Sequence, residues 1–150
     1  MDLSVEEARQ ILKRLLDTQS LAVLATRDNA GHPYCNLVAF ASCDEMKSLL
    51  FATPRTTQKY KNLSFDTRVA LLVDSRNNEE SDFHDASAAT ALGTASELTG
   101  SEWEEKASLY LAKHPHLKEF VSSPTCALFR VTVETFYVVT RFQTVMKLQM

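Results

Sequence analysis

Apolar residues recur at three- and four-residue spacing from Val5 through Ala8, Ile11, Leu12, Leu15 and Leu16, the stripe of an amphipathic helix. Ser4, with Glu7 three residues on, is the capping signature that starts it. The period then shortens. LAVLATR (21–27) reads as a buried strand, DNAG (28–31) as a turn, 34–42 as a second strand, CDEMKS as the next turn and LLFAT (49–53) as a third strand. Pro54 stops that strand, and 56–65 is polar with Tyr60, Leu63 and Phe65 spaced for a short helix. A strand over 67–74 follows, then the most polar segment of the chain, 75–85, which reads as an exposed loop. The long strand 86–98 carries Gly93 as a bulge or a point of close backbone approach. Thr99 or Ser101 caps a helix running to about Lys113, with Trp103, Ala107, Tyr110 and Leu111 on the face that packs against the sheet. Pro115 and Pro124 bracket a second short helix, and the tail supplies two last strands, CALFRVTVE and TFYVVTRF.

About six strands joined mostly by short turns, with helices at the amino end, after the third strand and before the last pair, describe an α+β fold with an antiparallel barrel core. A doubly wound parallel sheet would need a helix between most strands, and the spacing forbids it. No repeat, linker or low-complexity tract interrupts the 150 residues, so one domain over 1–150 is expected. A chain of this size, 45% hydrophobic and 23% charged, buries roughly 70% of its unfolded surface and stands without disulfide or structural metal.

Charge and cysteine usage narrow the function. With 16 Lys+Arg against 19 Asp+Glu and a net charge of -3, the chain lacks the clustered cations that phosphate neutralisation on nucleic acid requires. The apolar runs 21–25 and 69–73 fall far short of the ~20 residues that span a bilayer, and MDLSVEEARQ is acidic where a secretory signal is basic, so a cytoplasmic protein is expected. Cys35, Cys43 and Cys126 form no CxxC pair, which argues against a disulfide framework or zinc. Cys35 is expected as a small buried filler, and His32, His84, His114 and His116 as solvated surface without metal-ligand geometry. No Ser-His-Asp or Cys-His arrangement is present.

The segment FATPRTTQKYKNL (51–63) holds the densest chemistry: a strand end, a proline turn, then Arg55, Thr56, Thr57 and Lys59 around a helix start. Unpaired N–H groups, hydroxyls and two cations suit a phosphate dianion, though an ordinary capped helix start has the same residues. The nearly uncharged strands PYCNLVAFAS and LLFAT would serve as an apolar wall for a flat aromatic ligand, or simply as barrel core.

Residues 31–73, GHPYCNLVAFASCDEMKSLLFATPRTTQKYKNLSFDTRVALLV, resemble the FMN-binding split barrel of the pyridoxamine 5'-phosphate oxidase-like superfamily. The specific part is T-x-R-T-x-x-K, followed by NL and D-T-R-V-A-L-L. The likeness continues into ATALGTASEL (89–98) and, more weakly, FYVVTRFQTV (136–145). It implies a six-stranded antiparallel split β-barrel with flanking helices, and a homodimer holding FMN non-covalently at the subunit interface. The cofactor phosphate would lie at Thr53, Arg55, Thr56, Thr57 and Lys59, with the backbone of Asn36, Leu37, Val38 and Ala39 along the isoalloxazine ring. The second subunit would add Tyr137 and Arg141. The tail RFQTVMKLQM lacks the Arg-x-His substrate run of true pyridoxamine phosphate oxidases, and Ala88 stands near where those enzymes often carry a flavin-reaching Gln. The expected activity is therefore an FMN-dependent redox reaction on another small molecule, with no side chain obliged to act as acid or base. The loop 75–85, with Glu79, Glu80, Asp82 and Asp85, reads as solvated surface placed to cover the flavin's open edge. Two alternatives share the fold: a haem- or deazaflavin-binding barrel, although no His lies beyond His116 to serve as an axial ligand, and a cofactor-free dimeric binding barrel.

Overall fold

The computed structural model describes residues 3–141 and 144–150. In chain order it runs α1 (Val5–Thr18), β1 (Leu21–Arg27), β2 (Pro33–Cys43), β3 (Ser48–Pro54), α2 (Gln58–Phe65), β4 (Arg68–Asp74), α3 (Asp82–Asp85), β5 (Ser87–Glu97), α4 (Gly100–Lys113), a 3-10 turn (Pro115–Leu117), α5 (Lys118–Ser122), β6 (Cys126–Thr140) and β7 (Thr144–Gln149). Every strand pairing is antiparallel, in the order β3-β2-β1-β4-β5-β6-β7, and β3 also pairs with β6. Six strands thus close into a barrel, and β7 adds to β6 outside the closure. The α+β barrel is the one that the hydrophobic pattern predicts. No helix among the described residues is long and apolar enough to cross a membrane.

Alternation builds the interior. Ala22, Leu24 and Thr26 of β1 are buried, while Leu21, Val23, Ala25 and Arg27 point the other way. Leu24, Phe40, Leu49, Phe51, Leu71, Phe136 and Val138 fill the barrel, and α1 adds Ala8, Leu12, Leu15 and Leu16 to the same cluster. Ser4 starts α1 by accepting the Glu7 N–H at 3.1 Å and donating to the Glu7 carboxylate at 3.0 Å. A second apolar cluster joins Ala41, Leu50, Ala52 and Leu128 to Tyr110 of α4 and Val121 of α5. Leu49 and Phe51 therefore face one core, Leu50 and Ala52 the other, and Ser48–Thr53 is buried throughout. The apolar LLFAT segment is core on both faces rather than a wall for a ligand.

Two expectations change. The two tail strands are one continuous strand, β6, because nothing between Glu134 and Thr135 breaks a run of β-branched and aromatic residues. The partner strand begins only at Thr144, and Phe142, the expected end of TFYVVTRF, lies outside the described residues. The polar stretch after β4 is not wholly an open loop: it contains α3 and a buried Asp82.

The expected irregularity at Gly93 is present as a shift in the β5–β6 register between Leu92 and Gly93. A Cβ on Gly93 would lie 2.3 Å from the Thr132 carbonyl oxygen and 2.9 Å from Val131 Cγ1. Only hydrogen fits there, because β6 passes against the bent β5 backbone. Gly93→Ala is expected to lower folding stability by about 1–3 kcal/mol or more, read from urea unfolding. A variant as stable as the parent would show that β6 does not press on this point.

Candidate functional site

β2 and β3 part company within the barrel. They pair from Phe40↔Phe51 to Cys43↔Ser48, whereas β2 pairs with β1 along its full length from Pro33 to Ala39. Among the described pairings, nothing covers the other edge of β2 over 33–39. The Phe40 N–H donates to Ser20 O at 3.3 Å, on the β1 side. Successive residues of a strand turn their N–H and C=O groups to opposite sides, so Cys35, Leu37 and Ala39 present theirs to the uncovered edge. Asn36 and Val38 face inward, opposite Leu24 and Ala22. The Asn36 Oδ1 is buried and has no hydrogen-bond partner among the described residues. Cys35 and Leu37 face outward and are exposed, so Cys35 is not the buried filler expected from its type.

α4 holds the point of divergence. Tyr110 Oη donates to Ala39 O at 2.9 Å, and His114 Nε2 lies 2.7 Å from Phe40 O. Between them Lys113 places Nζ 3.9 Å from the Phe40 ring centroid and donates to Leu16 O at 2.9 Å. Burial pushes the Tyr110 phenol up to about 12, which keeps it a donor. His114 is buried, not solvated, contrary to expectation, because its ring reaches back under β2. The i, i+4 spacing of Tyr110 and His114 on one helix face was the signal available in the sequence; what they touch was not.

The proline turn spends most of the polar groups singled out in the sequence. Thr53 Oγ1 and Thr57 Oγ1 are 2.7 Å apart, and each donates to or lies against Pro54 O at 3.1 Å. Thr57 also caps α2 by accepting the Tyr60 N–H at 3.2 Å. Arg55 donates to Glu97 Oε2 and to Pro124 O, both at 2.8 Å, and Tyr60 Oη donates to the other Glu97 oxygen at 2.9 Å. These bonds fasten the turn to the ends of β5 and β6. The exposed Thr56 hydroxyl and the half-buried Lys59 ammonium remain without a hydrogen bond or ion pair among the described residues. Burial draws the Lys59 pKa below the usual lysine value. As in any helix start, the first N–H groups of α2, those of Gln58 and Lys59, have no intrahelical acceptor.

Tyr137 and Arg141 lie elsewhere. Tyr137 sits on the outward face of β6, with Lys147 Nζ 5.9 Å from its ring centroid, and the exposed Arg141 follows the strand in a left-handed conformation with φ 53°. Register links Leu37 to Val23, Leu72, Thr90 and Tyr137 in one row across the sheet. Four strand spacings of ~4.8 Å put Tyr137 roughly 19 Å from Leu37 along that row. Tyr137 and Arg141 thus stand four strands along the sheet from the free edge of β2. Among the described residues, no group of three or more His, Cys, Asp or Glu is placed to hold a metal ion.

Similar barrels occur among solved structures. A heme binding protein from Mycobacterium smegmatis superposes with a TM-score of 0.83 at 17% identity, over 99% of this chain and 59% of that one. A FAD-binding protein from Mesorhizobium loti gives 0.69 at 17% identity, covering 91% and 94%. General Stress Protein 26 from Bacillus anthracis gives 0.72 at 19%, covering 95% and 98%. The chain therefore spans about three-fifths of the first of these and nearly all of the other two. No curated protein matches it. The family model for pyridoxamine 5'-phosphate oxidase matches residues 6–140, from the first turn of α1 to the end of β6, and the chain belongs to that family.

Proposed function

We propose that the protein is a homodimeric FMN-binding redox protein, residues 1–150 acting as one unit on a small-molecule substrate. The observation that carries this reading is the uncovered edge of β2, where the N–H and C=O groups of Cys35, Leu37 and Ala39 face away from β1. Ala39 O is taken by Tyr110, which leaves the groups nearer Asn36 to meet a ligand that offers donors and acceptors along one flat edge. The isoalloxazine pyrimidine edge is such a ligand.

The residues present fit the cofactor. An orphaned Asn36 Oδ1 wants a donor, and Lys59 is a partly desolvated cation without an anion. With Thr56 and the N–H groups at the start of α2, Lys59 would hold the phosphate. Thr53, Thr57 and Arg55 act mainly by fixing the turn that presents Lys59. FMN would supply hydride or electron transfer, and the chain would bind, orient and tune it. Donors along β2 would favour the anionic reduced state, while outward apolar residues would exclude water.

A second copy completes this arrangement. Leu21, Leu37, Leu92 and Val145 are exposed on the outward face of the sheet, an apolar surface that calls for cover. Tyr137 and Arg141, too far along the sheet from β2 of their own chain, would meet the ring from the partner. The haem alternative has a named relative behind it but a weaker donor set: His114 Nε2 is occupied by Phe40 O, and His32, His84 and His116 are exposed.

Titration with FMN, followed by quenching of flavin fluorescence, should give micromolar or tighter binding, and none at that concentration would overturn the reading. Lys59→Met is expected to weaken FMN roughly ten- to a hundredfold. Its fold should hold, because the folded-state pKa lies below the unfolded value. The protonated amine therefore disfavours folding at neutral pH, and the neutral thioether removes that cost. Light scattering should report a dimer of the 16.8 kDa chain, and Leu92→Asp, which puts a charge on the outward face, should shift it to monomer. A parent chain that is monomeric with FMN bound would separate the cofactor assignment from the dimer.

A further inference from the structure

β2 changes partners in mid-strand, and the last turn of α4 sits where it does so. On one side β2 pairs with β1 as far as Leu21↔Ala39, and the Phe40 N–H adds one bond to Ser20 O. On the other side it pairs with β3 only from Phe40↔Phe51 onward. Residues 39 and 40 therefore end one ladder and begin the other. Consecutive strand residues turn their carbonyls to opposite sides, so Ala39 O looks toward β3 and Phe40 O toward β1. α4 caps both with side chains four residues apart: Tyr110 Oη donates to Ala39 O, and His114 Nε2 lies 2.7 Å from Phe40 O. A carbonyl oxygen only accepts, so that ring nitrogen carries its proton.

This turn is held in place from two further directions. Lys113 donates to Leu16 O, one of the last carbonyls of α1 and without an intrahelical partner, and stands over the Phe40 ring. Tyr110 packs among Ala41, Leu50 and Ala52 in the second apolar cluster. One step beyond Phe40↔Phe51, the next β2–β3 pair would be Ala39 with Ala52, and it is not made. Nothing in the residue types forbids it, since both positions are alanine. What stands at that step is the Tyr110 hydroxyl: besides donating to Ala39 O, its oxygen interacts with the Ala52 amide. A group that both donates and accepts can serve two strands at once without their closing on each other.

We propose that Tyr110 is a positioning residue for the ligand edge: its hydroxyl halts the β2–β3 ladder at Phe40↔Phe51 and leaves the Ala39 N–H, with the edge before it, open to a ligand. The halt stands on the strand geometry; that it serves a flavin rests on the function proposed above. Without the hydroxyl, Ala39 N–H bonds Ala52 O, β2 and β3 gain a pair, and the edge alternates between open and closed. The closed fraction shields the Ala39 amide from solvent exchange and withholds the edge from ligand by the same factor, because exchange and binding both use the open state.

Tyr110→Phe keeps the packed ring and removes only the hydroxyl. Two quantities are read from the full chain: hydrogen exchange of the Ala39 amide by NMR without ligand, and FMN affinity by fluorescence quenching. In the variant, Ala39 exchange is expected to slow roughly tenfold and FMN to bind weaker by the same factor, as for an edge closed in about nine molecules of ten. Leu109→Ala, on the exposed side of α4, should change neither. The proposal fails if Ala39 exchanges at the parent rate in the folded Phe variant, if exchange slows while FMN affinity holds, or if Leu109→Ala has the same effect. Slowed exchange in a chain whose parent binds no FMN would uphold the ladder halt and sink the flavin assignment instead.

Discussion

β3 is too short for its two neighbours, and the shape of the site follows from that. It has seven residues, Ser48–Pro54, between an eleven-residue β2 and a fifteen-residue β6. Along β6 it pairs with 126–132, and along β2 only with 40–43. Buried on both faces, it cannot slide toward β2 without exposing one of two apolar clusters. Pro54 supplies no N–H to continue the ladder, and the chain turns into α2. The remaining edge of β6 is taken by β7, which begins opposite Thr140 and ends opposite Thr135. Among the described residues no strand serves the first half of β2 in the same way, and its polar backbone is left to be satisfied by something else.

The same economy governs the charged groups at the turn. Arg55, Glu97 and Tyr60 form one small network that ties α2 to the end of β5, with a further bond to the Pro124 carbonyl. A guanidinium with two partners at 2.8 Å is a structural fastening, and its rigidity positions the neighbour that has none among the described residues. Lys59 is that neighbour. Burial without a counter-charge is an unfavourable state for an ammonium, and an incoming dianion relieves it. Anion affinity at this point therefore draws on a desolvation cost already met during folding.

α4 and the Asp82 loop play matching parts at two places on the outside of the barrel. Tyr110 and His114 fix β2 where it leaves β3, by bonds to main-chain carbonyls rather than to side chains. Asp82 fixes the segment after β4 in the same way, through main-chain amides. Both devices order the surroundings of a concave surface while leaving the side chains that face it free to set chemistry. That division of labour suits a barrel family in which a common scaffold carries different ligands.

Much of the architecture was legible from the order of residues. Period-two runs broken by DNAG, CDEMKS and Pro54, the Ser4–Glu7 start of α1 and the lone Gly93 define strands, turns and the bulge, because each is a local backbone requirement that a side chain either meets or does not. The family motif likewise lies in one contiguous stretch. What remained hidden was long-range. That TFYVVTRF continues β6 instead of beginning a new strand depends on β5 and β7 pairing along it. His114 and Cys35 exchanged their expected environments, since burial is decided by which element lies opposite: α4 covers Phe40, while Cys35 and Leu37 on the outward face of early β2 stay exposed. Residue types alone marked a cluster of cations and hydroxyls after Thr53. Only the folded chain decided that Arg55 is spent on Glu97 and Pro124, 42 and 69 positions away along the chain and delivered by barrel closure, while Thr53 and Thr57 bond within the turn and Lys59 has no partner among the described residues.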